Sequence, residues 1–286
     1  MKYLAKKRTS RVVALPRVYR GSGVRTISVT GGKGGVGKSS IAVNLALGLA
    51  RLGGRILLLD GDLGLANADQ LLGVHAPSTL FDVVQGRVKL KDAVLKTQWD
   101  VSLLPACSGR KEMVELNRKS RSALLDGVAA LAKEYDYVII DTAAGIGETT
   151  LTLARSGDVI LAVATPDPTS VRDAFSVMKI LAKEYGARNI SLVANKVSSR
   201  EDGMALFKRL AGVTDRFLPM SLDLAGVVVR DPCLARSIVD RRPLLAAYPG
   251  SPASQQIVEL AAHLVTLDRD IPDIEDEKED EERGTP

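Results

Sequence analysis

The chain has 286 residues, 45% of them apolar and 26% charged, with a formal net charge of +5. That is the balance of a soluble globular protein, long enough for one large α/β domain or two small ones. Cys107 and Cys233 stand far apart and in no C-x-x-C pair, which gives no support to a disulfide framework or a zinc site. Apolar runs such as ILLL before Asp60 are too short to span a bilayer, and no long apolar core follows the basic start, so a cytoplasmic location is expected.

Residues 1–24 read as a basic tail. The first 25 residues hold Lys2, Lys6, Lys7, Arg8, Arg11, Arg17, Arg20 and Arg25 and no acid. Like charges repel, and few apolar groups offset the entropy of ordering. Simple solubility and contact with an anionic membrane, nucleic acid or an acidic partner are both open readings of it.

A predicted strand, TISVT (Thr26–Thr30), leads into GGKGGVGKSS (Gly31–Ser40) and then into a helical stretch from Lys38 to Leu52. Gly32 to Ser39 satisfies G-x-x-x-x-G-K-[ST] in the strand–loop–helix context that a phosphate-binding loop needs. The backbone of Gly34, Gly35, Val36 and Gly37 can converge on phosphate oxygens, and the helix N-terminus adds positive potential. Lys38 is expected to reach the β- and γ-phosphates, the Ser39 hydroxyl to bind Mg²⁺, and Ser40 to bond the α-phosphate. Lys33 is a second lysine in a loop that needs only one.

The next strand, RILLLD (Arg55–Asp60), runs into DGDLGLAN. Asp60 closes the strand, and Asp62 can orient or deprotonate an attacking water, a solvated loop aspartate being the alternative. After VSLLP (Val101–Pro105) comes YVIID (Tyr137–Asp141), a buried strand ending in a carboxylate, the arrangement that holds Mg²⁺ through a water. Gly145 and Gly147 would let the following loop move with the γ-phosphate. Further strands are predicted at DVILAVA (Asp158–Ala164), ISLVAN (Ile190–Asn195) and RFLPM (Arg216–Met220), with a helix over Thr169–Glu184. At Asn195 the chain reads NKVS. A guanine reader wants an acid in the fourth place, where Ser198 stands, so adenine is the expected base, with the Asn195 amide at its edge. The last helical pattern, SQQIVELAAHLVTL, sets Ile257, Leu260, Ala261 and Leu264 on one stripe and reads as core packing. The end is an acidic tail over 268–286.

Apolar strands alternating with helices predict a single α/β P-loop NTPase domain over 25–267, a mostly parallel twisted sheet with helices on both faces. Ligands in such a sheet sit beyond the carboxyl ends of the strands, where all these polar stretches fall.

With these motifs, the chain resembles the MinD/ParA family of deviant Walker ATPases. KGGVGKSS at Lys33–Ser40 matches the family signature, DGDLGLAN its first switch with Asp62 and Asn67 in place, and DTAAGIG its second. TPDPTSVRDAFSVMKIL, ANKVSSREDG and RRPLLAAYPGSPAS look like the FlhG branch, which regulates flagellar number and position. The resemblance implies slow ATP hydrolysis that resets an ATP-dependent homodimer, with Lys33 reaching the nucleotide of the other subunit. It implies an FlhF-like GTPase or another polar regulator as partner and peripheral contact with the cell membrane. A ParA-like ATPase that rides non-specifically on DNA is the alternative. The chain departs from the branch at its last helix, which lacks the lysines and arginines of a membrane-docking helix.

Overall fold

In the computed structural model, residues 24–110, 113 and 118–269 are described. The basic stretch before Val24 and most of the acidic end lie outside them. Eight strands form one sheet: β1 (Arg25–Thr30), β2 (Ile56–Gly61), β3 (Leu95–Lys96), β4 (Val101–Leu104), β5 (Tyr137–Thr142), β6 (Val159–Ala164), β7 (Ile190–Val197) and β8 (Asp223–Val229). Their order across the sheet is β3-β4-β2-β5-β1-β6-β7-β8. Every neighbouring pair is parallel except β3 with β4.

Helices connect the strands: α1 (Lys38–Arg51), α2 (Ala68–Leu72), α3 (Leu80–Val84), α4 (Arg118–Ala132), α5 (Glu148–Arg155), α6 (Pro168–Glu184), α7 (Arg200–Phe217), α8 (Pro232–Val239), α9 (Leu244–Ala247) and α10 (Pro252–Arg269). Strands β1, β2, β5 and β6 are buried at every position. Alternate side chains therefore serve two cores. Ile56 and Leu58 of β2 pack into the cluster that holds α1 and α10, while Leu57 and Leu59 pack with α3 and α4 on the other face. On that same second face, Ile160, Ala162, Leu192 and Ala194 pack with α6 and α7.

The final helix is core, as its stripe predicts: Ile257, Leu260, Ala261 and Leu264 are all buried. Two features draw it in. A Cβ on Gly48 of α1 would stand 3.0 Å from that of Ala261, a contact so tight that a larger residue would push the helices slightly apart. The Arg25 guanidinium donates to the Leu264 carbonyl at 2.8 Å, joining the start of β1 to the last turns of α10. This helix runs on to Arg269, past the residue 268 at which the acidic tail was expected to begin. Among the described residues no helix is long and apolar enough to cross a membrane.

RFLPM is not a strand. Leu206, Leu210 and Thr214 are buried at a spacing of four, and this period carries α7 through Phe217. Pro219 could not donate to a ladder in any case. The strand beside β7 is instead DLAGVVV, whose valine run suits a pleated surface. Strand β3, with two residues, is too short to show any pattern.

Leu264→Ala should lower the free energy of unfolding by about 2–5 kcal/mol, since the side chain is fully buried in the cluster under α1. Urea denaturation followed by circular dichroism measures it.

Candidate active site

Parallel pairing brings the carboxyl ends of β1, β2, β5, β6 and β7 to one edge of the sheet. In the β2–β5 register Asp60 lies opposite Asp141. The loop from Gly31 to Gly37 joins β1 to α1, and Gly35 and Gly37 adopt φ of 78° and 98°. Gly37 is required twice over. Its backbone is left-handed, and a Cβ there would run into the Asn195 amide nitrogen. No side chain caps α1, which leaves its first N–H groups to face a ligand.

Lys38 is buried, and burial pushes its ammonium pKa down, while Asp141 and Asp62 pull it back up. Asp141 is wholly buried, and neither carboxylate oxygen has a hydrogen-bond partner of good geometry. Burial, then the Asp60 charge, pushes its pKa well up; the neighbouring Ser39 hydroxyl and Lys38 favour the charged form. An orphaned, buried carboxylate beside a serine hydroxyl is a donor set that suits a hard divalent cation such as Mg²⁺.

Asp60 solves its burial differently. One oxygen accepts from the Asp62 N–H at 3.1 Å, and the other from Asn67 N–H at 3.0 Å and Ala68 N–H at 3.1 Å. These bonds favour the carboxylate, yet burial outweighs them and pushes the pKa up to about 6. The bonds fold DGDLGLAN back onto its own strand and so hold Asp62 at the site. Asp62 in turn accepts from the Leu65 N–H at 3.0 Å. The Asn67 side-chain oxygen is buried without a partner. A further bond, from Gly145 N–H to the Gly31 carbonyl at 3.2 Å, fastens the loop after β5 to the phosphate loop.

The two lysines of the loop part company. Lys38 turns inward to the aspartates. Lys33 turns outward: its side chain is 42% exposed and its Nζ donates to Asp167 at 2.9 Å and to Thr169 at 2.7 Å. Asp167 lies just ahead of α6, where it also caps the helix through the Thr169 N–H. The hydrogen bond from Lys33, then that from Thr169, hold its carboxyl far below the usual carboxylate range. Between Gly34–Val36, Thr165–Asp167 and the ends of β7 and β8 lies an open cleft of about 500 Å³, with Lys196, Ser198 and Arg230 on its far wall.

All the site residues predicted from the sequence therefore meet at this edge: Lys33 to Ser40, Asp62, Asn67, Asp141 and Asn195. The Asn195 amide donates to the Val36 carbonyl at 2.7 Å, so one of its N–H groups is committed to the loop and not to a base. Asp167, Thr169 and Lys196 lie in strand-end stretches where ligands are expected, Thr165–Asp173 and Asn195 onward, but residue type alone assigned none of the three a role. Lys196 Nζ donates to the Gly35 carbonyl at 2.7 Å. The only signal for it was its place beside Asn195 in NKVS.

Residues 24–192 match a protein family described as an AAA domain. The chain is 41% identical over 231 residues to the antiactivator FleN of Pseudomonas aeruginosa, covering 81% of this chain and 82% of that one. It is 31% identical to the flagellum site-determining protein YlxH of Helicobacter pylori, covering 84% and 81%. Among solved structures it superposes on the septum site-determining protein MinD of Pyrococcus horikoshii, complexed with Mg-ADP, with a TM-score of 0.72 at 26% identity, covering 87% and 100%.

Gly37→Ala is expected to weaken ATP binding at least tenfold and to destabilise the fold by about 1–3 kcal/mol, through backbone strain and the contact with Asn195. Isothermal titration and thermal melting report the two effects separately.

Proposed function

The chain belongs to the MinD/ParA family of P-loop ATPases, on the FlhG side of it, and from that premise we propose that it is a dimerising ATP switch setting the number or placement of flagella. The observation that carries the switch is the divergence of the two lysines. Lys38 is buried beside Asp141 and serves the nucleotide of its own subunit. Lys33 stands at the surface, resting on Asp167 and Thr169, from where it would serve one held by a second copy. The printed name of one relative, a flagellum site-determining protein, supports the cellular role.

In this reading residues 25–267 form the ATPase domain. The N–H groups of Gly34 to Gly37 and of the first turn of α1 cradle the phosphates, and Lys38 neutralises the β- and γ-phosphate oxygens. Ser39 and Asp141 would hold Mg²⁺, which would supply charge neutralisation on the phosphates. Asp62 orients the attacking water and accepts its proton, and Asn67, anchored through its N–H to Asp60, keeps a buried amide oxygen unpaired. Asn195 meets the adenine edge with the groups that Val36 leaves it.

Lys33 must leave Asp167 and Thr169 to cross to the partner's phosphates. There it stabilises the charge on the transferring phosphoryl group, which makes the dimer depend on the γ-phosphate. Leu65 and Ile146, 72% and 56% exposed on the loops after β2 and β5, give the same face apolar contacts to bury against a second copy. An FlhF-like GTPase or another polar regulator is the proposed downstream partner, with a peripheral station at the inner face of the membrane. Non-specific DNA binding is the competing reading.

Size-exclusion chromatography with Mg-ATP should show a dimer for the unmodified chain and a monomer for Lys33→Ala, with ATP affinity kept within about threefold. A dimer that forms without Lys33 would remove the trans role. Deleting the gene in its cell of origin should change the count or position of flagella. Intact flagella together with failed chromosome or plasmid partition would replace this reading by the DNA-riding one.

A further inference from the structure

Asn195 and Lys196 are sequence neighbours on β7. In a regular strand their side chains would point to opposite faces. Both nonetheless end on the same few atoms of the phosphate loop: Asn195 on the Val36 carbonyl and Lys196 on the Gly35 carbonyl, each at 2.7 Å. The backbone shows how. Asn195 pairs with Val228 and Val197 with Val229, so the β7–β8 register skips Lys196. Its φ is 56°, in the left-handed region where glycine is at ease and a lysine is strained. Lys196 is the extra residue of a β-bulge, a device that re-aims a side chain at the cost of local strain.

From this geometry we propose that Lys196 is a positioning residue for nucleotide binding, acting through the phosphate loop and not by touching the phosphates. A planar trans peptide points its N–H opposite to the carbonyl of the preceding residue. Holding the Gly35 carbonyl at Lys196 and the Val36 carbonyl at Asn195 therefore turns the N–H groups of Val36 and Gly37 away from β7. That is the orientation an anion gripped by the loop requires. Gly35 imposes no restraint of its own: it carries a φ of 78° and a Cβ placed there would meet nothing within 4 Å. The bulge supplies from outside the order that this glycine lacks. Phosphates then meet donors already aligned, and the ordering cost is met in the folding of the chain, not at binding.

The inference rests on the assignment of Gly34–Ser40 as the phosphate cradle. Four full-length variants, Lys196→Met, Lys196→Arg, Lys196→Gly and Lys38→Ala, are compared in ATP and ADP affinity, in KM and kcat, and in melting temperature without nucleotide. Loss of one charge-assisted hydrogen bond should weaken both nucleotides about tenfold in Lys196→Met and raise KM alike, with kcat within about twofold. Lys196→Arg should restore most of the affinity. Lys196→Gly should lose affinity like the methionine variant yet melt no lower than the unmodified chain, because it relieves the left-handed backbone. A merely structural lysine would move affinity and melting together, with no rescue by arginine. Wild-type ATP affinity in Lys196→Met overturns the proposal, and so does a glycine variant that melts lower in step with its affinity. If Lys38→Ala also binds ATP normally, the cradle assignment falls, and this inference with it.

Discussion

Lys38 carries a positive charge into a pocket where Asp141, Asp60 and Asp62 already stand, and the parallel register of β2 and β5 gives the first two aspartates no way to separate. Burying carboxylates side by side is costly unless each finds compensation. Asp60 finds it in three backbone N–H groups. Asp141 has Lys38 and Ser39 nearby and no hydrogen bond of good geometry. The pocket is thus built with a carboxylate in waiting. A divalent cation arriving with phosphates would meet the ligand it needs, already buried and without a competing hydrogen bond of good geometry.

The contiguous chemistry was legible from the sequence. Gly31–Ser40 and the run into Asp141 are each a short strand joined to a loop of marked composition, so residue type and spacing carried the argument. Sheet topology was legible in kind, because apolar strands alternating with helices admit few other arrangements. Strand β8 was not, since an apolar helix end at RFLPM imitates a strand when its buried period is unknown. Contacts between distant residues were illegible for a different reason. Lys33 meets Asp167 across 134 positions and Lys196 meets Gly35 across 161, and neither pairing leaves a trace in local pattern. Lys196 was hidden further by the rule of alternation, which a bulge breaks.

The phosphate loop is therefore held on several sides at once. β7 grips its crown through Asn195 and Lys196, the loop after β5 is fastened to its base through Gly145, and Asp167 and Thr169 hold the Lys33 side chain. Three of these come from different strand ends, so a ligand that shifts the loop acts on several connections together. Coupling of this kind needs no long pathway, only shared hydrogen bonds between adjacent loops.

Consider last what the resting place of Lys33 means for the crowded interior of a cell. An ion pair that is nearly half exposed on both sides is held weakly and loosens further as salt rises. Such a contact cannot oppose a phosphate that binds the same ammonium in a sheltered interface. It can oppose the many weaker anions that brush past an exposed loop: free carboxylates, nucleic-acid backbones, acidic neighbours. In the proposed dimer Asp167 and Thr169 would then serve as a placeholder, keeping the ammonium occupied until an anion arrives already enclosed.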